Sequence, residues 1–167
     1  MQTENDSIKL LAKMIKGIKF AMLTTQDDLG LLRSRPMATQ ETDFDGTLWF
    51  FTSESSSKVF EIRKNPVVNV NFVNPEDSRY VSISGTAEIS KDQSKIKELW
   101  KPFYKTWFPE GLEASALALI KVNVEKAEYW DVASKTLIPI LGFAKALLTG
   151  TSYRPSPNVN RKIELTH

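Results

Sequence analysis

The sequence contains no cysteine, and its single histidine, His167, is the last of the 167 residues. The absence of cysteine excludes disulfide bonds and thiolate chemistry, and it fits a reducing compartment. A metal site built from two or more histidines is excluded, and so is catalysis by an internal histidine base. Any chemistry must therefore come from other side chains or from a bound cofactor.

Long hydrophobic runs and a strong charge of either sign are also missing. No segment reaches the roughly 20 apolar residues that a membrane-spanning helix needs, and the longest candidate, 137–148, contains a proline, a glycine and a lysine. The polar start, MQTENDSIKL, does not resemble a secretory signal. The net charge of +2 offers no argument for a nucleic-acid or membrane partner. We therefore expect a cytoplasmic protein that binds neither.

The hydrophobic pattern predicts a mainly β chain with short helices. Strands are predicted over 19–25, 31–41, 47–53, 67–73, 79–89 and 115–132, and helices over 7–18, 58–64, 92–104 and 138–148. Six strands with brief helical inserts indicate an antiparallel barrel rather than a doubly wound parallel sheet. We predict one domain, with the barrel in residues 1–135 and a C-terminal helix and extended arm in residues 136–167.

Two residues carry local predictions about the strands. Pro36 has no backbone N–H to donate, so its strand should lie at a sheet edge or carry a bulge. Gly85 stands within a long predicted strand, which indicates a bulge or the close approach of another backbone.

The segment FFTSESSSKVFEIRKNP, residues 50–66, joins a predicted strand to a predicted helix through four serines within five residues. A helix start leaves backbone N–H groups unpaired and carries roughly half a positive charge. Hydroxyl groups at Thr52, Ser53 and Ser57 can donate to an anion there, and Lys58 adds a full charge. This pattern favours a phosphate site. The alternative is an ordinary serine cap followed by a solvated lysine.

Arg33 and Arg35 precede this segment on another predicted strand. Their spacing of two residues places both side chains on one face of the strand, together with Met37. Two cations on one face repel each other unless water or a shared anion separates them, so an exposed strand edge is the simpler alternative. If strands 31–41 and 47–53 pair as neighbours, the arginines approach Thr52.

Several motifs occur together in a characteristic order: RSRPM at 33–37, LWFFTSESSSKVFEI at 48–62, VSISGTAEI at 81–89, WFPEG at 107–111 and AEYWD at 127–131. In combination they resemble the pyridoxamine 5'-phosphate oxidase-like FMN-binding split barrels, and the general stress protein 26 branch in particular. The resemblance covers roughly residues 8–133. It implies a homodimer of six-stranded antiparallel split β-barrels with FMN in clefts at the subunit interface.

The resemblance also implies roles for individual residues. Arg35 would reach the flavin phosphate, and the backbone at Pro36 and Met37 would run beside the isoalloxazine ring. Trp130 would stand near the flavin of the other subunit, and Trp107 is a further candidate for lining the pocket. Together with the residue-level argument, the predicted cofactor-binding set is Arg33, Arg35, Pro36, Met37, Thr52, Ser53, Ser57, Lys58, Trp107 and Trp130.

The sequence departs from this family at two points. Ser57 stands where the oxidases usually carry a second cation, which either weakens the grip on the phosphate or leaves that role to Arg33. After Trp130 the chain reads DVASKTLIPI, without the Arg-x-His pair that recognises pyridoxamine phosphate in the true oxidases. We therefore expect little or no activity on pyridoxamine phosphate, and no catalytic side chain is assigned.

Several functions remain open at the level of sequence. The first is an FMN-dependent oxidoreductase that acts on an unknown small molecule with a nicotinamide electron donor. The second is a protein that stores, buffers or senses flavin without turnover. The deazaflavin F420 is an alternative ligand. A single-stranded nucleic-acid barrel is disfavoured by the low net charge. The C-terminal arm is expected to reach the neighbouring subunit and close the flavin cleft.

Overall fold

A computed structural model of the chain describes residues 4–131 and 160–165. The helices in these ranges are α1 (Glu4–Ile15), α2 (Ser57–Lys64) and α3 (Gln93–Leu99), and two short 3₁₀ turns follow at Pro102–Thr106 and Gly111–Glu113. The strands are β1 (Phe20–Gln26), β2 (Leu32–Ala38), β3 (Thr47–Ser53), β4 (Val67–Asn74), β5 (Arg79–Ser90), β6 (Leu117–Asp131) and β7 (Asn160–Glu164). None of these helices has the length and apolar character needed to cross a membrane.

These seven strands belong to one antiparallel sheet, in which six follow the order β2-β1-β4-β5-β6-β3 and β7 pairs with β6. The end strands β2 and β3 contact each other without forming a hydrogen-bonded ladder, so the barrel is split rather than closed. The predicted fold, a mainly β split barrel with short helices, is confirmed. All six predicted strands are present, with boundaries shifted by a few residues at most.

The seventh strand, β7, was not predicted. It pairs with β6 of the same chain, beyond the end of β3. Only two apolar residues of this segment, Ile163 and Leu165, are buried, which is too short an alternation to identify a strand from sequence. The predicted helix at 138–148, and the part of the predicted arm before residue 160, lie outside the described residues.

The structure confirms the helix predicted near the start of the chain and contradicts the one predicted over 92–104. Helix α1 is confirmed, with Leu11 and Met14 buried, and the chain leaves the helix before Gly17, which has a φ of +78°. The prediction of one helix over 92–104 is wrong. Helix α3 ends at Leu99, because Pro102 disfavours helical geometry in the residue before it. A 3₁₀ turn begins at Pro102 instead.

Both local predictions about the strands are confirmed. Pro36 lies on β2, which pairs with β1 alone among the described strands and is therefore an edge strand of the described sheet. At Gly85 the register between β5 and β6 shifts, as expected for a bulge. A Cβ atom at Gly85 would lie 2.1 Å from the carbonyl oxygen of Asn123, so only glycine allows the strands to approach this closely.

The barrel interior is filled by large side chains from most strands, including Phe50, Phe72, Leu23, Ile83 and Ile120. A smaller cluster lies beneath α3, where Phe51 contacts Tyr104 and Trp100. Helix α2 is anchored by Val59 and Ile62, which are both buried. Helix α2 packs against β1 and β5, and its residue Glu61 contacts the edge strand β2.

Candidate functional site

The two arginines of β2 lie on the same face of the strand, as predicted, and both point towards α2. The Arg35 guanidinium donates to the Thr25 hydroxyl and, over 2.9 Å, to the Glu61 carboxylate. Arg33 lies 3.6 Å from the other oxygen of Glu61 and is about half exposed. The arginines therefore share an anion, and that anion is the carboxylate of Glu61 in the same chain.

Glu61 is the residue that organises this cluster. Its side chain is buried, and it accepts a 2.5 Å hydrogen bond from Thr25 in addition to the contacts with the arginines. Sequence reasoning missed it because a glutamate in a short charged helix is usually exposed. One signal was available: Glu61 lies between Val59 and Ile62, the buried positions of the same helix.

Lys58, in the first turn of α2, is not the solvated lysine of the simpler alternative. Its side chain is partly buried, and this burial lowers the pKa of its ammonium group below the ordinary value. The nearby positive charge of Arg35 lowers the pKa further, whereas Glu61 opposes the shift. Lys58 is therefore close enough to Arg35 to repel it, and the repulsion would be relieved by an anion bound between them.

The start of α2 also lacks the ordinary serine cap. Ser56 occupies the N-cap position, but its side chain makes no capping hydrogen bond. Its hydroxyl instead lies 3.0 Å from the hydroxyl of Thr52, a buried residue at the end of β3. Ser53 is hydrogen-bonded to Ser55 in the same way. The N–H of Val59 donates to the Ser56 carbonyl over 3.0 Å. The N–H groups of Ser57 and Lys58 have no side-chain acceptor from the N-cap residue and could donate to a ligand.

The strand pairing that brings the arginines of β2 to α2 differs from the predicted pairing. The strands at 31–41 and 47–53 do not pair as a hairpin, because β2 pairs with β1 and β3 pairs with β6. The expectation that hairpin pairing brings the arginines near Thr52 is therefore wrong. Helix α2 makes the connection instead: its start follows β3 directly, and Glu61, one turn further, contacts the arginines of β2.

The remaining predicted residues lie elsewhere. Met37 is buried in the core, and Pro36 is exposed on the opposite face of β2 from the arginines. Trp107 is about half exposed and makes an edge contact with Phe103, with ring centroids 4.9 Å apart. Trp130 lies opposite Tyr80 in the ladder between β5 and β6. Neither tryptophan has a described contact with the cationic cluster.

The open antiparallel barrel defines a split-barrel protein, with a cluster of cations around Glu61 of α2. The family model described as pyridoxamine 5'-phosphate oxidase like matches residues 6–154. The chain belongs to this family, and the predicted family membership is confirmed.

Individual relatives are similar to this chain in sequence and in fold. Protein bli-3 from Neurospora crassa is 29% identical over 157 residues, which cover 87% of this chain and 75% of the relative. The structure of General Stress Protein 26 from Bacillus anthracis has a TM-score of 0.65 at 26% identity, covering 77% of this chain and 94% of that one. A general stress FMN/FAD binding protein from Xanthomonas citri has a TM-score of 0.67 at 26% identity, with coverages of 81% and 94%.

Proposed function

We propose that this protein is an FMN-binding flavoprotein that holds the phosphate of FMN at the start of α2 and acts as an oxidoreductase on a small molecule. The observation that carries the proposal is that Arg33 and Arg35 contact Glu61 of α2, one turn after Lys58 and the uncapped start of the helix. The relative from Xanthomonas citri, which is described as FMN/FAD binding, supports the choice of a flavin.

The charges of the cluster fit a phosphate monoester. Three cations and the single carboxylate of Glu61 leave an excess of two positive charges when Lys58 is protonated. A phosphate monoester carries about −1.5 to −2 at neutral pH, which balances this excess. Uncapped N–H groups and the hydroxyl of Ser57 supply directional donors for the phosphate oxygens.

A bound flavin would supply hydride and single-electron chemistry. In this proposal the chain positions the flavin through its phosphate, and the backbone at Pro36 and Met37 runs beside the ring. No Arg-x-His pair follows Trp130, so the substrate differs from pyridoxamine phosphate. We assign no general acid or base.

We further propose that the protein is a homodimer with FMN at the subunit interface. The outer face of β1, β4 and β5 exposes Phe20, Met22, Val73 and Tyr80, an unusual density of apolar side chains for a solvated sheet. Trp130 lies beside Tyr80 in the ladder. A second copy on this face would bury these side chains and bring Trp130 to the flavin of its neighbour.

The test removes the two cations closest to the proposed phosphate. The variant Arg35→Gln/Lys58→Gln keeps an amide donor at position 35 for Glu61 and loses both charges. FMN affinity, measured by fluorescence titration, should fall by roughly 100-fold or more, because each charge-assisted hydrogen bond contributes about 1.5–3 kcal/mol.

A matched control lies on the same helix. Arg63→Gln/Lys64→Gln removes two exposed cations, which pair with Glu54 and Asp28. We expect its FMN affinity to change less than about threefold. Equal affinities of the two double variants would overturn the phosphate site.

A flavin store or sensor is the second candidate, favoured by the absence of the substrate-recognition pair after Trp130. Anaerobic addition of NADH or NADPH to the yellow protein separates the two candidates. Rapid bleaching supports the oxidoreductase, and persistent colour supports storage. Mass spectrometry of the ligand released by heating distinguishes FMN from F420.

A further inference from the structure

A cavity of about 820 Å³ opens beside the end of α1, outside the cationic cluster. Its walls come mainly from residues 12–19, from residues 39–44 after β2, from β3 and from the first 3₁₀ turn. Neither Glu61 nor the cations around it belong to its described lining. The volume lies within the range of small-molecule sites, so this cavity can hold a ligand of its own.

The inner walls of the cavity are apolar and largely aromatic. They include Ile15, Phe44, Trp49, Phe50, Phe103 and Tyr104. Phe50 and Tyr104 are buried in the protein, whereas Phe103 remains 56% exposed. Covering such surfaces with an apolar molecule is favourable, and flat aromatic walls pack well against a flat ring. The body of a ligand here should therefore be an aromatic ring system.

The mouth of the cavity carries an excess of positive charge. Lys101 is paired with Glu41 over 3.2 Å, and Asp43 is the other carboxylate of the described lining. Three further lysines of the lining are exposed and have no ion-pair partner among the described residues: Lys13, Lys16 and Lys19. Three unpaired cations against one carboxylate leave an excess of two positive charges, which attracts an anion and repels a cation.

The end of α1 does not by itself account for these lysines. A cation near a helix C-terminus is usually explained by the unpaired carbonyl groups there. Here the Arg79 guanidinium donates to three carbonyls, those of residues 13, 14 and 16, over 2.9–3.1 Å. The carbonyls of Ala12 and Ile15 accept from backbone N–H groups. All carbonyls of residues 12–16 are thus paired without a lysine side chain, and the ammonium groups remain available to an anion.

We infer that this cavity binds an aromatic carboxylate. The ring packs against the apolar walls, and the carboxylate lies at the mouth among Lys13, Lys16 and Lys19. The observation that carries the inference is the combination of an apolar interior with unpaired cations at its opening. It goes beyond the proposed function, because the site shares no residue with the phosphate cluster and its occupation does not depend on flavin.

The probe is naphthoate, with naphthamide as an uncharged analogue and naphthylmethylamine as a cationic one, all of which carry the same ring. Binding to the full chain, with and without saturating FMN, is measured by calorimetry. We expect naphthoate to bind about tenfold more tightly than naphthamide, and naphthylmethylamine to bind more weakly than both. Raising the ionic strength to about 1 M should remove most of this difference, because the Debye length falls to about 3 Å.

The charge of the mouth is removed in the variant Lys13→Gln/Lys16→Gln/Lys19→Gln. Naphthoate binding should weaken about tenfold, because exposed charges contribute little singly but act together here, and naphthamide binding should change less than about twofold. The Tm should stay within about 2 °C of the wild type, since Arg79 keeps the helix end paired.

The matched control removes the same net charge from three exposed lysines outside the described lining. In Lys9→Gln/Lys97→Gln/Lys105→Gln, naphthoate affinity should stay within about twofold of the wild type.

The apolar wall is tested separately from the charge. Phe103→Ser removes an exposed ring of the lining and should weaken naphthoate and naphthamide by similar factors, roughly fivefold each, because both lose the same ring contact. The control Phe60→Ser replaces an exposed phenylalanine of α2 outside the described lining and should leave both affinities unchanged.

Four results would overturn the inference: naphthoate binding no tighter than naphthamide binding, equal losses in the two triple-lysine variants, equal effects of the two phenylalanine variants, or displacement of naphthoate by FMN. The last result would assign the cavity to the flavin itself. Failure here is distinguishable from failure of the phosphate site, because Arg35→Gln/Lys58→Gln should bind naphthoate as the wild type does.

Discussion

The substitution Glu61→Gln tests the charge balance of the cationic cluster. It preserves the shape of the side chain and one carbonyl acceptor for Arg35 or Thr25, but it removes the only carboxylate that the two arginines share. Losing one partner of a buried ion pair costs about 3–5 kcal/mol. Since the glutamine carbonyl keeps part of the hydrogen bonding, we expect a loss of about 2–3 kcal/mol in the free energy of unfolding.

In the flavin-free protein this loss corresponds to a fall in Tm of about 5–10 °C for a domain of this size. Bound FMN should reduce the deficit, because its phosphate supplies negative charge to the three cations that Glu61 no longer balances. A misaligned Arg35 opposes this effect, because it weakens one charge-assisted hydrogen bond that contributes about 1.5–3 kcal/mol when fully formed. Since Arg33 and Lys58 keep their charges and Arg35 loses only part of its bond, we expect the balance of charge to dominate.

The assay is thermal unfolding of wild type and Glu61→Gln, each without FMN and at saturating FMN. We expect the difference in Tm between the two proteins to shrink to about half when FMN is bound. The matched control is Glu98→Gln, an exposed partner of Lys95 on α3, which should change Tm by less than about 2 °C in either condition. If FMN left the Glu61→Gln deficit unchanged, the phosphate would not share this cluster, and the reasoning would be refuted.

Three further predictions concern single sites. The variant Lys58→Met should bind FMN more weakly than the wild type, and without flavin it should unfold at a higher temperature at pH 7. Burial lowers the pKa of Lys58, so the wild-type lysine loses its charge in the folded state as the pH rises towards the ordinary pKa of 10.5, and the difference in Tm should shrink over that range. Parallel profiles of Tm against pH would contradict this. Gly85→Ala should lower Tm by about 4 °C or more, since its Cβ would overlap the Asn123 carbonyl; an unchanged melting curve would show that the strands can separate at no cost. Phe20→Asp/Met22→Asp should convert the proposed dimer to monomers in light scattering, and a dimer that persists at micromolar concentration would place the interface elsewhere.

The strands and the junction between β3 and α2 could be predicted from sequence because their signals are local. The alternation in VVNVNFV and RYVSISGTAEI reflects one buried and one outer face, and both segments are strands of the barrel. The bulge at Gly85 could be anticipated because glycine is selected where no Cβ fits. The single helix predicted over 92–104 was wrong, because apolar spacing alone does not show that a helix ends before Pro102.

The partners of the charged residues could not be predicted in this way. Glu61 is 26 residues from Arg35 and 36 residues from Thr25, and nothing in the local pattern links them. This environment arises from elements that meet only after the sheet has formed.

The sequence by itself determined the class of fold, the family and the cations around the start of α2, because periodicity, glycine placement and short motifs are properties of neighbouring residues. The tertiary structure alone decided that β2 pairs with β1 rather than β3, that β7 returns to β6, and that Glu61 lies between the arginines. The physical reason is that burial and pairing across the sheet depend on contacts between distant segments, which a local pattern does not encode.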